Sequence, residues 1–315
     1  MQKYKPLDSQ QIPRFSEVKT FMRLPNIRTV KDVDFVVTGA PFDTACSYRT
    51  GSRFGPSAIR NASSLLKPYN RFMDVNIFDH LSGVDYGDLS IVPGYIESTY
   101  KRMQDDMTPI IEAGVVPIVL GGDHSITLAE LRAVAAKHGP VALVHFDAHT
   151  DTYSSYFGEK YNHGTPFKYA CDEGLIDTEH SIQVGMRGTF YSPDDLKISE
   201  DMGFKVLTTP DIREIGLEET GKMIRERVGN KPAFFTFDID FVDPAYAPGT
   251  GTIEVGGFTS YETLQLIRMT KEIDFKGFDV VEVLPAHDNN EITAFLAANV
   301  AYEFISILAN RVKNN

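Results

Sequence analysis

The sequence predicts a single doubly wound α/β domain, with a mostly parallel, roughly eight-stranded sheet flanked by helices. Three observations carry this. Short apolar runs alternate with amphipathic stretches along the whole chain. Several of those runs, VVPIVL, VALVHF and AFFTF, are apolar on both faces, as suits central strands covered by helices on either side. The 315 residues, 42% apolar with 21 Phe and 14 Tyr, fill one large core.

Taken in order, DFVVTG gives the first strand (34–39), followed by a second at 82–86 and an amphipathic helix over 94–113. VPIVLG (116–121) is a strand that runs into a helix at 125–138, and 141–147, 181–186 and 204–208 are strands again. A helix over 217–228 precedes the strand at 233–238, a helix over 259–273 precedes the strand at 277–283, and a last helix covers 290–311. No repeat, low-complexity tract or linker divides the chain, so residues 1–315 are expected to form one domain. Residues 1–30 read as an N-terminal extension that packs on the domain or on a neighbouring subunit.

Thirty-one basic against 43 acidic side chains give a net charge of −12. With no Lys/Arg block, the chain is a poor partner for nucleic acid, and a cationic small molecule or a metal ion is the better match. Cys46 and Cys171 are the only cysteines, which excludes a disulfide framework or a thiolate zinc site. The opening MQKYKPLDSQQIPRF lacks the apolar core of a signal peptide, and no run is read as a membrane span. A soluble, cytoplasmic protein without membrane partners is expected.

In a doubly wound sheet, sites form beyond the carboxyl ends of the strands. Four polar clusters fall there: Asp123-His124 after VPIVL, DAHTD (147–151) after ALVHF, Asp238-Ile239-Asp240 after AFFTF, and LPAHDNNEIT after DVVEV. Asp147, His149 and Asp151 stand at i, i+2 and i+4, and Asp238 and Asp240 repeat the i, i+2 spacing. In extended chain such side chains share one face. Two carboxylate clusters with imidazoles and no thiolate suit two divalent cations, manganese rather than structural zinc. DxHxD alone is equally a turn, and DxD alone is more often a cap or a solvated rim. Their joint occurrence after three separate strands favours the metal reading.

GGDHS (121–125), HFDAHTD (145–151) and FDIDFVDPAYAPGTGT (237–252) resemble the signatures of the ureohydrolase family, which contains arginase and agmatinase. SYRTGSRFGPSAIR (47–60), NHGTPF (162–167) and VEVLPAHDNNEIT (281–293) extend the resemblance over most of the chain. It implies an arginase-like fold with two manganese ions per subunit, nickel being the alternative metal, and a homo-oligomer, trimer or hexamer. By the same resemblance Asp147 and Asp238 bridge the ions, His124 and Asp151 complete one site, and His149 and Asp240 the other. Asp151 also receives a proton from the nucleophile, His163 shuttles protons, and Glu291 pairs with the substrate guanidinium.

Other residues carry blander expectations. His145 reads as a packed, hydrogen-bonded core residue, and Asp123 equally as a turn cap or as a group orienting His124. Arg49, Arg53 and Arg60 read as structural arginines that tie a loop to carboxylates or to a neighbouring subunit. TYSSYFGEKYN (152–162) departs from the hydroxyl and amide set that holds free arginine in arginase-like chains. Together with Glu291 this favours agmatine, hydrolysed to putrescine and urea. 4-Guanidinobutyrate and 3-guanidinopropionate are the alternatives, to be met by Lys160 or His287 if either reaches inward. A silent metal-binding scaffold or a phosphoesterase is disfavoured, because the ligand set is complete and basic residues near the rim are few.

Overall fold

The computed structural model describes residues 3–314. Ten strands form in chain order: β1 (Phe35–Ala40), β2 (Tyr69–Asn70), β3 (Val75–Asn76), β4 (Gly83–Asp88), β5 (Val116–Gly121), β6 (Ala142–Phe146), β7 (Ile182–Met186), β8 (Lys205–Thr208), β9 (Pro232–Asp238) and β10 (Asp274–Val281). β2 and β3 make a small antiparallel hairpin. The other eight build one parallel sheet in the order β4-β1-β5-β10-β9-β6-β7-β8. All eight expected strands are therefore present.

Alternation along β9 shows why both faces are apolar. Phe235 and Phe237 point to one side with Phe146, Phe278 and the helix Ile292–Asn314, which contributes Phe304 and Ile305. Phe234 points to the other, with Val119, Leu143 and the helices Ile96–Glu112 and Thr127–His138, which contribute Met103, Met107, Leu128 and Leu131. The helix Ile292–Asn314 is long and apolar enough to cross a membrane by length and composition, against the expectation that no segment would be. Its apolar window is 78% buried inside the protein, so it is a core helix of this sheet.

Two departures from the expected elements matter for the site. Part of the Gly-rich stretch SYRTGSRFGPSAIR is a helix, Gly55–Ser63, with Pro56 in its first turn. Gly55 is required there, because a Cβ would lie 2.8 Å from the carbonyl oxygens of Gly121 and Val283. The last strand ends at Val281 rather than continuing to 283, because Glu282 turns into the left-handed region at φ 61°. The N-terminal segment lies against the sheet edge of its own chain: the Tyr4 amide donates to Ser82 Oγ (2.9 Å), Asn26 bridges Asp85 on β4, and Phe21, Met22 and Leu24 are buried.

Candidate metal centre

The four central strands, β5, β10, β9 and β6, are adjacent, and each releases a polar residue at its carboxyl end. They deliver His124, Glu282, Asp238 and Asp147 to one rim, where a cleft of about 390 Å³ opens.

His124 is fully buried, and its Nδ1 lies 3.0 Å from Asp147 Oδ2, 2.9 Å from Asp151 Oδ2 and 3.3 Å from Asp238 Oδ2. None of the three has hydrogen-bond geometry, so Nδ1 is an orphaned buried atom amid carboxylate oxygens. Its tautomer follows from the opposite side of the ring. Thr236 Oγ1 donates to Asp279 Oδ1 (2.7 Å) and therefore accepts from His124 Nε2–H (2.8 Å). Asp279 is itself held by Thr127 Oγ1 (2.7 Å). This chain turns the Nδ1 lone pair towards the carboxylates.

The second cluster lies beside the first. His149 Nδ1 is 3.1 Å from Asp240 Oδ2 and 3.4 Å from Asp147 Oδ1. Asp147 thus offers one oxygen to each imidazole. The tight turn Asp238-Ile239-Asp240 is fixed by the Asp240 amide, which donates to Asp238 Oδ1 (2.8 Å), while the Ala148 amide donates to Asp240 Oδ1 (3.0 Å). Asp151 enters at φ 52°, a left-handed conformation rare outside glycine and found where neighbouring structure enforces it.

His145, His124 and Asp147 also converge closely enough to hold an ion. The hydrogen bonds argue otherwise for His145. Gln183 Nε2 is oriented by the Thr150 carbonyl (2.7 Å) and donates to His145 Nδ1 (3.0 Å), leaving Nε2–H to donate to Asp147 Oδ2 (2.8 Å). His145 is a packed donor that positions Asp147. Asp123 acts as a cap: it accepts from the amides of Ser125 (3.1 Å) and Ala45 (3.0 Å) and does not touch the His124 ring. Burial and the neighbouring charge of Glu282 push its carboxyl up to about 7.

The charges of the cluster demand cations. Burial, with Asp240 and Asp147 beside it, pushes Asp238 well above the usual carboxylate range, and burial with Asp147 raises Asp240. Burial works against charge on Asp147 too, but His145, His124 and His149 outweigh it and hold the group well below that range. Burial is likewise outweighed at His124 and His149, whose carboxylate partners raise both well above an ordinary imidazole. Four buried aspartates side by side are tolerable only with protons or metal ions among them. Hard oxygens and borderline nitrogens fit divalent manganese.

Of the remaining expected residues, His163 lines the cleft and Glu291 does not. His163 Nε2 accepts from the Ser47 amide (3.0 Å), so its neutral form donates from Nδ1 to Glu282 Oε1 (3.1 Å). Burial favours that neutral form, but the hydrogen bond to Glu282 and the charges of Glu282, Asp151 and Asp123 raise its pKa. Glu291 is exposed, with Oε1 accepting from Asn61 Nδ2 (3.0 Å), so the guanidinium-pairing role expected of it has no geometric basis. It stands nine positions beyond Glu282, across an exposed turn. The carboxylate at the strand end is Glu282, 1% exposed, whose Oε1 also accepts from the His124 amide (3.0 Å) while Oε2 has no partner. A glutamate between valines after an apolar run was the available signal, since such a residue is buried for a reason.

Lys160 points away from the cleft, its ammonium 4.7 and 4.5 Å from the ring centres of Tyr161 and Tyr169, and His287 is exposed. Neither reaches the cleft. Arg53 pairs with Asp43, and Arg60 with Asp85 (2.8 Å) and Asp88 (2.6 Å), as structural arginines do. Arg49 differs: it lines the cleft.

An eight-stranded parallel sheet whose central strands converge two histidine–carboxylate clusters in one cleft defines a metal-binding α/β hydrolase. Residues 33–306 match the Arginase family, and the chain belongs to it as a ureohydrolase. It is 42% identical to proclavaminate amidinohydrolase of Streptomyces clavuligerus over 95% of this chain and 96% of that one. The solved structure of that protein superposes with a TM-score of 0.91, covering 95% and 99% of the two chains. Guanidinobutyrase of Pseudomonas aeruginosa is 39% identical over 98% of both chains, and agmatinase of Escherichia coli is 43% identical over 92% of both.

Proposed function

We propose that the protein hydrolyses the guanidinium of a linear guanidino compound to urea and a primary ammonium, with two manganese ions held by His124, Asp147, His149, Asp151, Asp238 and Asp240. Asp147 and Asp238 are shared in this reading, with His124 and Asp151 at one ion and His149 and Asp240 at the other. The observation that carries it is the orphaned His124 Nδ1 among three carboxylate oxygens, with Asp147 spanning to His149. Two divalent cations lower the pKa of water enough to supply the nucleophile near neutral pH.

The chain's own groups do the rest. Glu282 Oε2, buried and unpartnered, is the carboxylate for a guanidinium fork. Asp151 accepts the proton released on attack. His163, bonded to Glu282 and facing the cleft, delivers a proton to the departing nitrogen, which leaves only as a neutral amine. The balance is one guanidinium and one water in, one urea and one alkylammonium out. The same reading carries a homo-oligomer, a trimer or hexamer, in the cytoplasm.

The sequence favours agmatine on two grounds: the presence of Glu291, and the lack of a partner for a carboxylate in TYSSYFGEKYN. Arg49 lines the cleft, so the second ground weakens and the guanidino-acid reading gains. Urea release from agmatine, arginine, 4-guanidinobutyrate and 3-guanidinopropionate, with manganese and then nickel supplied, tests the activity. Release from none of them overturns it.

Two variants test the residue roles. His163→Ala is expected to lower turnover by about 10²–10⁴-fold while metal content stays normal. Loss of metal with normal activity per remaining metal pair contradicts the proton role. Thr236→Val removes the acceptor of His124 Nε2–H and is expected to weaken manganese binding about 10–100-fold, read by chelator competition. Unchanged affinity means that the ring is oriented by other contacts.

A further inference from the structure

We infer that the substrate carries a carboxylate at the end remote from its guanidinium, and that Arg49 binds it; this rests on the guanidinium hydrolysis proposed above. Arg49 is half-buried and lines the cleft, yet among the described residues it has no carboxylate partner, and its guanidinium lies 5.5 Å from the Tyr48 ring centre. Its neighbours Arg53 and Arg60 are both consumed in ion pairs. An arginine left without an acid in a chain of net charge −12, and set in the cleft of the metal cluster, is a binding group for an anion.

The backbone that presents it is pinned on both sides. On one, the Ser47 amide donates to His163 Nε2 (3.0 Å). On the other, the Gly51 amide donates to Asp43 Oδ2 (2.8 Å) and Arg53 Nε donates to Asp43 Oδ1 (2.6 Å). A Cβ on Gly251 would be 3.4 Å from the Arg49 carbonyl and 3.5 Å from Glu282 Oε2, so the Arg49 backbone lies near the carboxylate proposed for the guanidinium. An extended substrate therefore meets a carboxylate at its guanidinium and a cation at its far end.

Asp151 and Asp238 belong to the metal cluster, and Glu254 Oε1 faces His149 Nε2 at 3.9 Å. Tyr153 in the cleft wall packs edge-on with Tyr156 and Tyr191 (5.4 and 5.7 Å between centroids). Agmatine would place its second cation beside the like charge of Arg49, with Glu254 the one lining acid outside the metal cluster. Arginine would bring an α-ammonium to the same cation. The class that fits is an ω-guanidino acid without an α-amino group.

The test compares kcat/KM of the manganese-loaded, full-length protein for 3-guanidinopropionate, 4-guanidinobutyrate, arginine and agmatine, alongside Arg49→Gln and Arg49→Lys. At least one guanidino acid is expected to exceed agmatine by about 30-fold or more. Arg49→Gln is expected to raise KM for that acid about 100-fold with kcat little changed, and to weaken competitive inhibition by the matching ω-amino acid product equally; Arg49→Lys recovers part of both. A structural role predicts an equal loss on agmatine, a lowered kcat and no rescue by lysine. Agmatine or arginine outrunning every guanidino acid overturns the inference while leaving the hydrolysis intact. Hydrolysis of none of the four removes the hydrolysis reading, and the inference with it.

Discussion

Glu282→Gln is expected to lower kcat/KM for the best guanidino substrate by about 10²–10³-fold, whereas Glu291→Gln is expected to stay within about twofold of the parent. Glu282 is held in a left-handed conformation at φ 61°, with its amide donating to the Gly122 carbonyl (2.9 Å) and Oε1 occupied by the His124 amide and His163 Nδ1. Those contacts leave Oε2 buried without a hydrogen-bond partner, free for the guanidinium in the proposed reaction. Glutamine preserves size and shape and removes the charge that a buried cation needs, so the guanidinium enters unpaired. It also leaves the charged form of His163 without its carboxylate. Glu291 makes one exposed hydrogen bond to Asn61, so its loss is a surface change. The pair of kinetic measurements separates the two glutamates: equal effects would return the anchor role to an unresolved position, and a larger effect at Glu291 would reverse the assignment.

Asp147→Asn is expected to cost both metal and catalysis, with urea release down by at least about 10³-fold and less than one tightly held pair of ions per chain. The two oxygens of Asp147 face different imidazoles, His124 at 3.0 Å and His149 at 3.4 Å, and His145 Nε2–H fixes the carboxylate from behind. An amide keeps the volume but offers one neutral oxygen and turns a donor towards one of the clusters. Without the ions, proton binding is favoured at His124 and His149 and at Asp238 and Asp240, all of which sit above their ordinary values. Elemental analysis of the purified variant beside its urea assay checks both halves. Normal metal content with normal turnover would remove Asp147 from the centre.

The sheet was legible because its strands are buried on both faces: VVPIVL, VALVHF and AFFTF have no polar side to hide, and period-two alternation inside such runs still sorts Phe234 from Phe235. The meeting of His124, Asp147, His149, Asp151, Asp238 and Asp240 followed from the same fact, since strands that run parallel must release their polar ends at one rim. Glu282 was not singled out because the departure from the strand depends on a single backbone angle, which residue type does not announce. Arg49, Arg53 and Arg60 look alike in one glycine-rich stretch. What separates them is which acid the folded chain brings near: Asp43 for Arg53, Asp85 and Asp88 for Arg60, and, among the described residues, none for Arg49. Those acids lie on other turns and strands, so the distinction exists only in the tertiary structure. The short helix Gly55–Ser63 was hidden for a similar reason, its glycine serving the close approach to Gly121 and Val283 rather than a loop.

Anomalous scattering from manganese-loaded crystals locates the proposed pair of ions and the two aspartates they would share. Two peaks about 3.5–4 Å apart are expected, one bound by His124 and Asp151 and the other by His149 and Asp240, with Asp147 and Asp238 reaching both. A single peak, or either shared aspartate bound to one ion only, would contradict this arrangement.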